Sequence, residues 1–267
     1  MPELPEVETV ASHLREHLIG RTVVGLVRSQ KNLRQKWLNS WKPKILGRRV
    51  VAIDRRGKWL LVELDDAGHL MVHLGMSGQL AVKDPSDQVD QHTHLVVHLD
   101  DQHELRFRDP RRFGSVSYFS DRAECDRYLA VRLGPEPWNV VLSTFQAALN
   151  GTRRSIKAVL LDQTLIAGVG NIYADEASFA ARVDPKRAGN SLRPNEARRL
   201  LSSIRRVLDQ AIRNGGTTFD GVYSGGRNQH KLKAYGRTGE PCPRCGTAIE
   251  CVRLAGRSTH YCPHCQR

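Results

Sequence analysis

The chain has 267 residues, 40% hydrophobic and 26% charged. That is room for about two domains of roughly 150 residues each, with packed cores and no wholesale disorder. No apolar run approaches the roughly 20 residues that cross a bilayer. The acidic opening, residues 1–10, also lacks the basic-then-apolar order of a secretory signal, so the expected setting is cytoplasmic. Lys and Arg number 41 against 28 Asp and Glu, a net charge of +13. Residues 1–133 carry a surplus of 3 and residues 134–267 a surplus of 10. A basic excess gathered in one half suits a polyanion partner, because each phosphate contact releases condensed counterions. Charge alone is equally compatible with an ordinary basic protein. An anionic membrane surface fits less well, since no basic amphipathic helix with a bulky aromatic face is present.

In chain order, Val7, Val10, Leu14 and Leu18 recur at helical spacing, and Gly20 stands where a helix would stop. From there to about residue 120 the pattern shifts to short β-branched or alternating runs. Strands are expected at 22–28, 49–54, 58–64, 70–74, 95–99, 104–108 and 115–119, with a polar loop at 85–91. Seven short strands between Gly, Asp and Pro punctuation predict an antiparallel sandwich or barrel rather than a parallel sheet. Residues 121–142 read as a junction holding the rigid turn Leu133-Gly-Pro-Glu-Pro137. Helices are expected at 156–161, 171–181 and 194–214. The last sets Leu200, Leu201, Ile204, Leu208, Ala211 and Ile212 on one side, puts most of its arginines elsewhere, and ends at Gly215-Gly216. The predicted class is therefore α+β and multidomain.

Four of the six cysteines form Cys242-Pro-Arg-Cys245 and Cys262-Pro-His-Cys265, sixteen residues apart. Such spacing suits one tetrahedral zinc, with a β-hairpin between the pairs. Few apolar residues lie here, so the metal is expected to supply the folding energy. Two disulfides or redox dithiols are the alternatives; the intracellular setting disfavours the first and the missing βαβ context the second. His260 and His264 are not needed as ligands, and Cys125 and Cys251 read as ordinary thiols. From Arg182 onward 17 basic residues face 6 acidic ones, which favours nucleic acid over protein as the finger's partner.

Pro2, if Met1 is removed, gains a secondary amine, and an α-amino group with a pKa of about 7.7–8 is partly neutral and nucleophilic near pH 7. Glu3 and Glu6 place two carboxylates beside it, suited to moving protons on a sugar. Composition and spacing alone make them first-turn acids that complement a helix dipole.

The whole chain changes that reading. The opening Met1-Pro-Glu-Leu-Pro-Glu-Val-Glu-Thr9 resembles the bacterial formamidopyrimidine-DNA glycosylase family, which includes the endonuclease VIII relatives. The resemblance recurs at Gly57-Lys58, His73-Leu-Gly-Met-Ser-Gly78, Asp109-Pro-Arg-Arg-Phe-Gly114 and Leu133–Pro137. It continues through residues 162–176, 235–242 and the cysteine hairpin, in family order. It implies a catalytic β-sandwich domain at 1–132, a helix-two-turn-helix domain with the lesion-loop region at 133–235 and a zinc finger at 236–267. It also implies a monomer acting on double-stranded DNA with oxidised bases or abasic sites, and one structural zinc on Cys242, Cys245, Cys262 and Cys265.

The implied activity is excision of oxidised purines with lyase cleavage at the abasic site; oxidised pyrimidines or a silent damage-binding role are the alternatives. Pro2 becomes the Schiff-base nucleophile, Glu3 the principal proton-transfer residue and Glu6 a supporting carboxylate. Lys58 and Arg257 match phosphate-gripping residues of the site, and Asn171, in Gly168-Val-Gly-Asn171, the phosphate contact of the two-turn motif. His73 is implied near the cleft. Met76, Arg111 and Phe113 match residues that fill the gap left by an everted nucleotide, a trio that points to the formamidopyrimidine branch. By residue type alone, Met76 and Phe113 would be core and Arg111 a surface charge. Glu176 is implied either to orient the catalytic terminus or to complete helix packing. The stretch 219–234 is a few residues shorter than the family's base-capping loop, which leaves base recognition by Thr217, Thr218 or Tyr223 unassigned.

Overall fold

The computed structural model describes residues 1–218 and 226–267. They form two compact units, Met1–Val131 and Arg132–Thr217 with the chain from 226 onward.

The first unit opens with α1, Leu4–Leu18. It starts three residues before the first apolar position of the repeat, because Glu3 caps it and Pro5 sits in its first turn, where a missing N–H costs nothing. Leu4, Val7, Val10, Ala11, Leu14 and Leu18 line its buried face. Gly20, with φ of +85°, turns the chain out of the helix. There follow β1 (Val23–Arg28), the short α2 (Lys42–Ile45), β2 (Val50–Arg56), β3 (Trp59–Leu64), β4 (His69–His73), β5 (Gln79–Lys83), β6 (Thr93–Leu99), β7 (Glu104–Arg108), β8 (Ser115–Phe119) and α3 (Arg122–Ala130). Two antiparallel four-stranded sheets, β1-β6-β7-β5 and β2-β3-β4-β8, share one core that includes Leu26, Ile53, Leu60, Val62, Val72, Val97, Phe107 and Val116. This is the expected β-sandwich. Helix α1 packs on β2 and β5, an edge strand from each sheet, and so shields edges that would otherwise invite pairing.

There are eight strands in this unit where the sequence suggested seven. The missed β5 is a five-residue edge strand paired only with β7, too short for its alternation to stand out. The supposed junction at 121–142 also holds a helix. In α3 only Cys125 and Leu129 are buried, so the apolar stripe was faint; the clearer signal is Asp121, whose side chain accepts the Glu124 amide as an N-cap.

The second unit contains α4 (Leu142–Asn150), α5 (Ile156–Leu160), α6 (Asn171–Ala181), α7 (Pro194–Arg213) and the hairpin β9 (Glu250–Leu254) and β10 (Arg257–Tyr261). Helix α4 was not foreseen; it buries only Phe145 and Leu149, with Leu142 partly buried against the same core. Helix α7 buries Leu200, Leu201, Ile204, Leu208 and Ala211 as its pattern predicted. Helices α6 and α7 pack on each other, and β10 lies along α6. No helix among the described residues is long and apolar enough to cross a membrane.

Candidate functional site

Pro2, Glu3 and Glu6 are all buried at the head of α1. The Glu3 amide donates to Glu6 Oε2 at 2.8 Å, and the Glu3 carboxylate takes up the amide of Glu6 in return. This reciprocal capping box fixes both acids beside Pro2. One turn on, Glu8 Oε2 accepts Arg55 Nε at 2.7 Å, while Arg55 Nη1 donates to the Gly57 carbonyl at 3.1 Å. Arg55 thus ties the start of α1 to the β2–β3 turn that carries Lys58. Sequence reasoning missed Arg55; its only signal was adjacency to Gly57-Lys58. Gly57 has φ of +58°, and Lys58 is buried at 6% exposure.

His73 ends β4 opposite Trp59, with ring centroids 4.6 Å apart. Burial, then the charges of Lys58 and Arg34, lower its pKa to about 4. Its Nδ1 accepts the Gly75 amide at 3.0 Å, so the proton sits on Nε2 and the ring is a neutral donor at physiological pH. The unfolded imidazole protonates near 6.5 and the folded one only near 4. The unfolded state therefore binds more protons in that window. Stability from this group is complete above pH 6.5 and is lost as pH falls toward 4, by about 3 kcal/mol at most. Urea midpoints at pH 7 and pH 4.5 should diverge less in His73→Gln than in the parent; equal divergence would refute the buried neutral imidazole.

Met76, Arg111 and Phe113 lie at one end of the same sandwich. Phe113 is 44% exposed, Arg111 is exposed and Met76 half-buried. The expectation from residue type, that Met76 and Phe113 belong to the core, is overturned. The loop at 109–114 is held by buried polar groups rather than by its aromatic ring. The Arg111 guanidinium stands 4.7 Å from the centroid of the Phe113 ring, so the two form one stacked projection.

In the second unit, Gly168 (φ +87°) and Gly170 lead into α6. Gln163 staples this turn: its Oε1 accepts the Gly168 amide at 2.9 Å and its Nε2 donates to the Val169 carbonyl at 2.7 Å. Asn171, the first residue of α6, donates from Nδ2 to Ser258 Oγ at 3.3 Å. Ser258 follows Arg257, which is exposed at the tip of the β9–β10 hairpin. Asn171 and Arg257 therefore belong to one surface. Beneath it, fully buried Lys157 pairs with fully buried Asp175 and donates to the Asn171 carbonyl at 2.9 Å. Asp175 Oδ2 also accepts the His260 amide at 2.9 Å. This network, which the sequence did not disclose, pins the hairpin to α6 and engages His260 away from the cysteines. Glu176 accepts the amides of Lys233, Ala234 and Tyr235 at 2.8–3.0 Å, which supports the packing alternative for it. Thr217 Oγ1 lies 2.9 Å from Tyr173 Oη and accepts from Asn228 Nδ2 at 3.1 Å. Tyr223 and residues 219–225 of the shortened loop lie outside the described residues.

The sulfurs of Cys242, Cys245, Cys262 and Cys265 all lie within 4.8 Å of one another. Cys242 and Cys265 are 3.9 Å apart, Cys245 and Cys262 3.5 Å. A tetrahedral ion with bonds of about 2.3 Å would set its sulfurs about 3.8 Å apart, so the cage fits zinc. In each Cys-x-x-Cys turn a backbone amide points at the first sulfur: Arg244 N to Cys242 and Cys265 N to Cys262, both 3.4 Å. Burial and neighbouring thiols push Cys262 and Cys265 up. Four thiolates in so small a volume repel, and a dication supplies the missing compensation. Cys125 is buried, which pushes its thiol up to about 12, and Cys251 is exposed outside the cage; neither joins the site.

Comparison with known proteins gives three family matches in order: the formamidopyrimidine-DNA glycosylase N-terminal domain at residues 1–116, the H2TH domain of the same glycosylase at 133–221, and a zinc finger found in FPG and IleRS at 239–267. The chain is 46% identical to the formamidopyrimidine-DNA glycosylase of Herpetosiphon aurantiacus, with all of both proteins covered. It is 40% identical to that of Listeria innocua, again over both full lengths. Among solved structures it resembles the Lactococcus lactis Fpg complex with DNA containing an abasic site, at a TM-score of 0.93, 34% identity and 99% coverage of each chain. MutM in complex with DNA containing carbocyclic 8-oxo-G matches at a TM-score of 0.93 and 34% identity, with both chains wholly covered.

Proposed function

Because the chain belongs to the formamidopyrimidine-DNA glycosylase family, we propose that it excises oxidised purines from duplex DNA and then cuts the strand at the abasic site. The observation that carries this reading is the buried head of α1, where the capping box sets Glu3 and Glu6 beside Pro2. Once Met1 is gone, the Pro2 amine attacks the sugar anomeric carbon. The N–C bond forms as the glycosidic bond breaks, and Glu3 supplies the proton that opens the sugar. The resulting iminium withdraws electrons, acidifying adjacent C–H bonds. One elimination expels the 3′ phosphate and a second the 5′ phosphate, after which water hydrolyses the imine and restores the amine. Lys58, Asn171 and Arg257 grip backbone phosphates, with neutral His73 donating nearby. Met76, Arg111 and Phe113 occupy the gap left by the everted base. Zinc on the four cysteines is structural.

In this reading residues 1–132 are the catalytic domain, 133–235 the helix-two-turn-helix domain and 236–267 the finger. The protein acts as a monomer on the bacterial nucleoid, in the cytoplasm. The Lactococcus protein's abasic-site complex and the MutM complex with 8-oxo-G DNA support the substrate class.

Borohydride reduction tests the reading. Protein that begins at Pro2 should be trapped covalently on an 8-oxoguanine duplex, and protein with one residue added ahead of Pro2 should not. The same adduct from the blocked protein would move the chemistry to another amine. Faster turnover of an oxidised-pyrimidine duplex would overturn the purine assignment.

A further inference from the structure

Two loops carry the gap-filling trio, and both close on a single buried carboxylate. Asp109 is wholly buried and Ser77 is 8% exposed. Ser77 Oγ donates to Asp109 Oδ1 at 2.6 Å. The Arg111 amide is 3.3 Å from both Asp109 Oδ1 and Ser77 Oγ. Asp109 Oδ2 accepts the Gly114 amide at 2.7 Å. Behind it, the Asp109 carbonyl accepts from His94 Nε2 at 3.0 Å, and its amide donates to the His92 carbonyl at 2.9 Å. The loops touch directly as well. A Cβ on Gly75 (φ +64°) would come within 2.5 Å of the Gly114 nitrogen.

These contacts place Ser77 next to Met76 in sequence and Asp109 within two to four residues of Arg111 and Phe113. We propose that Asp109 and Ser77 are positioning residues that lock the two loops into one rigid wedge. A buried carboxylate held by a hydroxyl and amides is costly to desolvate and adds little packing. Its geometry is over-determined instead: six hydrogen bonds, the sixth from the Arg112 amide to the Asp109 carbonyl at 3.2 Å, fix this residue and the two loops around it. That suits a part which must push as a unit into a base stack. A wedge whose Met and Phe arms moved independently would lose its own ordering entropy at each eversion. Phe113 is 44% exposed and its ring stacks on the exposed Arg111, so its position depends on how the loop backbone is held.

The inference rests on the reading that the trio fills the gap, and the test separates the two. Single-turnover rates are measured on a duplex with paired 8-oxoguanine and on one with a preformed abasic site, where no base pair need be broken. Phe113→Ala should slow the first far more than the second; if it slows both equally, the wedge reading itself falls. Given that result, Ser77→Ala should slow paired-lesion excision about tenfold, in line with loss of one or two hydrogen bonds. Abasic cleavage should change less than twofold. Ser77→Thr, which keeps the hydroxyl, should restore the rate, and Asp109→Asn, which replaces an acceptor by a donor, should not. Ser77→Ala should add little in a Phe113→Ala background, because both act through the same arm. Full additivity there, failure of Ser77→Thr to rescue, or equal loss on both substrates would overturn the clasp while leaving Phe113 in place.

Discussion

Glu3→Gln should abolish excision of 8-oxoguanine while the protein still holds duplex DNA with its normal affinity. Proton transfer by a placed carboxyl contributes about 10²–10⁴-fold, and the sugar cannot open without a donor. Glutamine has nearly the same shape, and its amide oxygen can still accept the Glu6 amide. The capping box is therefore preserved at the bond that matters for folding. The Glu3 backbone amide, which donates to Glu6 Oε2 at 2.8 Å, is untouched. Burial sharpens the expectation: at 2% exposure the carboxyl has little water beside it to substitute for the lost proton donor. Rapid-quench rates and titration of an undamaged duplex would check both halves. A loss of affinity parallel to the loss of rate would show that the substitution had disturbed the head of α1, not the chemistry.

The legible parts of this protein were those where one residue type can do only one thing. Paired Cys-x-x-Cys units gave the cage because tetrahedral sulfur ligation dictates its own spacing, and its sulfurs do converge. The α7 stripe was visible because five buried positions repeat at helical period. Strand β5 and helices α3 and α4 were not, since each is short and anchored by one or two buried apolar side chains. The head of α1 shows a different limit. Pro2, Glu3 and Glu6 look like any capped helix start, and their burial depends on the sheets packed around α1. Only their place within an ordered series of motifs made them candidates. The roles of Arg55, Asp109 and the Lys157–Asp175–His260 network could not be read from the sequence, because each depends on at least one partner 5 to 85 residues away. Charge pairs of that kind leave no periodic trace.

That network bears on the finger, because both anchors of the hairpin lie at its open end. There Asp175 grips His260, and two residues further on the four sulfurs require an ion. Removing zinc, by chelation or by Cys245→Ala, should disorder residues 250–261 and sharply weaken DNA binding. Zinc binding contributes apparent energies of about 10–16 kcal/mol in isolated fingers. Little else is available to replace it. The apolar cluster under the finger consists of Phe179, Ala234, Ile249 and three of the cysteines themselves, Cys242, Cys262 and Cys265. Asp175 reaches the base of β10, at His260, but Arg257 sits three residues away at the other end of that strand, against the Ala255-Gly256 turn, both of whose residues have positive φ. That turn is strained at Ala255, and it will relax once β9 and β10 are no longer clamped at their open end. Arg257 then loses its fixed position, and Asn171 loses Ser258 as a neighbour. The slope of binding against salt should fall by about one contact or more, each worth about 0.9 in log–log units on duplex DNA. Zinc content, amide hydrogen exchange over 250–261 and the salt slope should move together. If exchange in the hairpin stays slow after the metal is gone, the Asp175 anchor alone suffices and the structural role assigned to zinc is wrong. If the hairpin opens but affinity and slope hold, Arg257 does not touch phosphate.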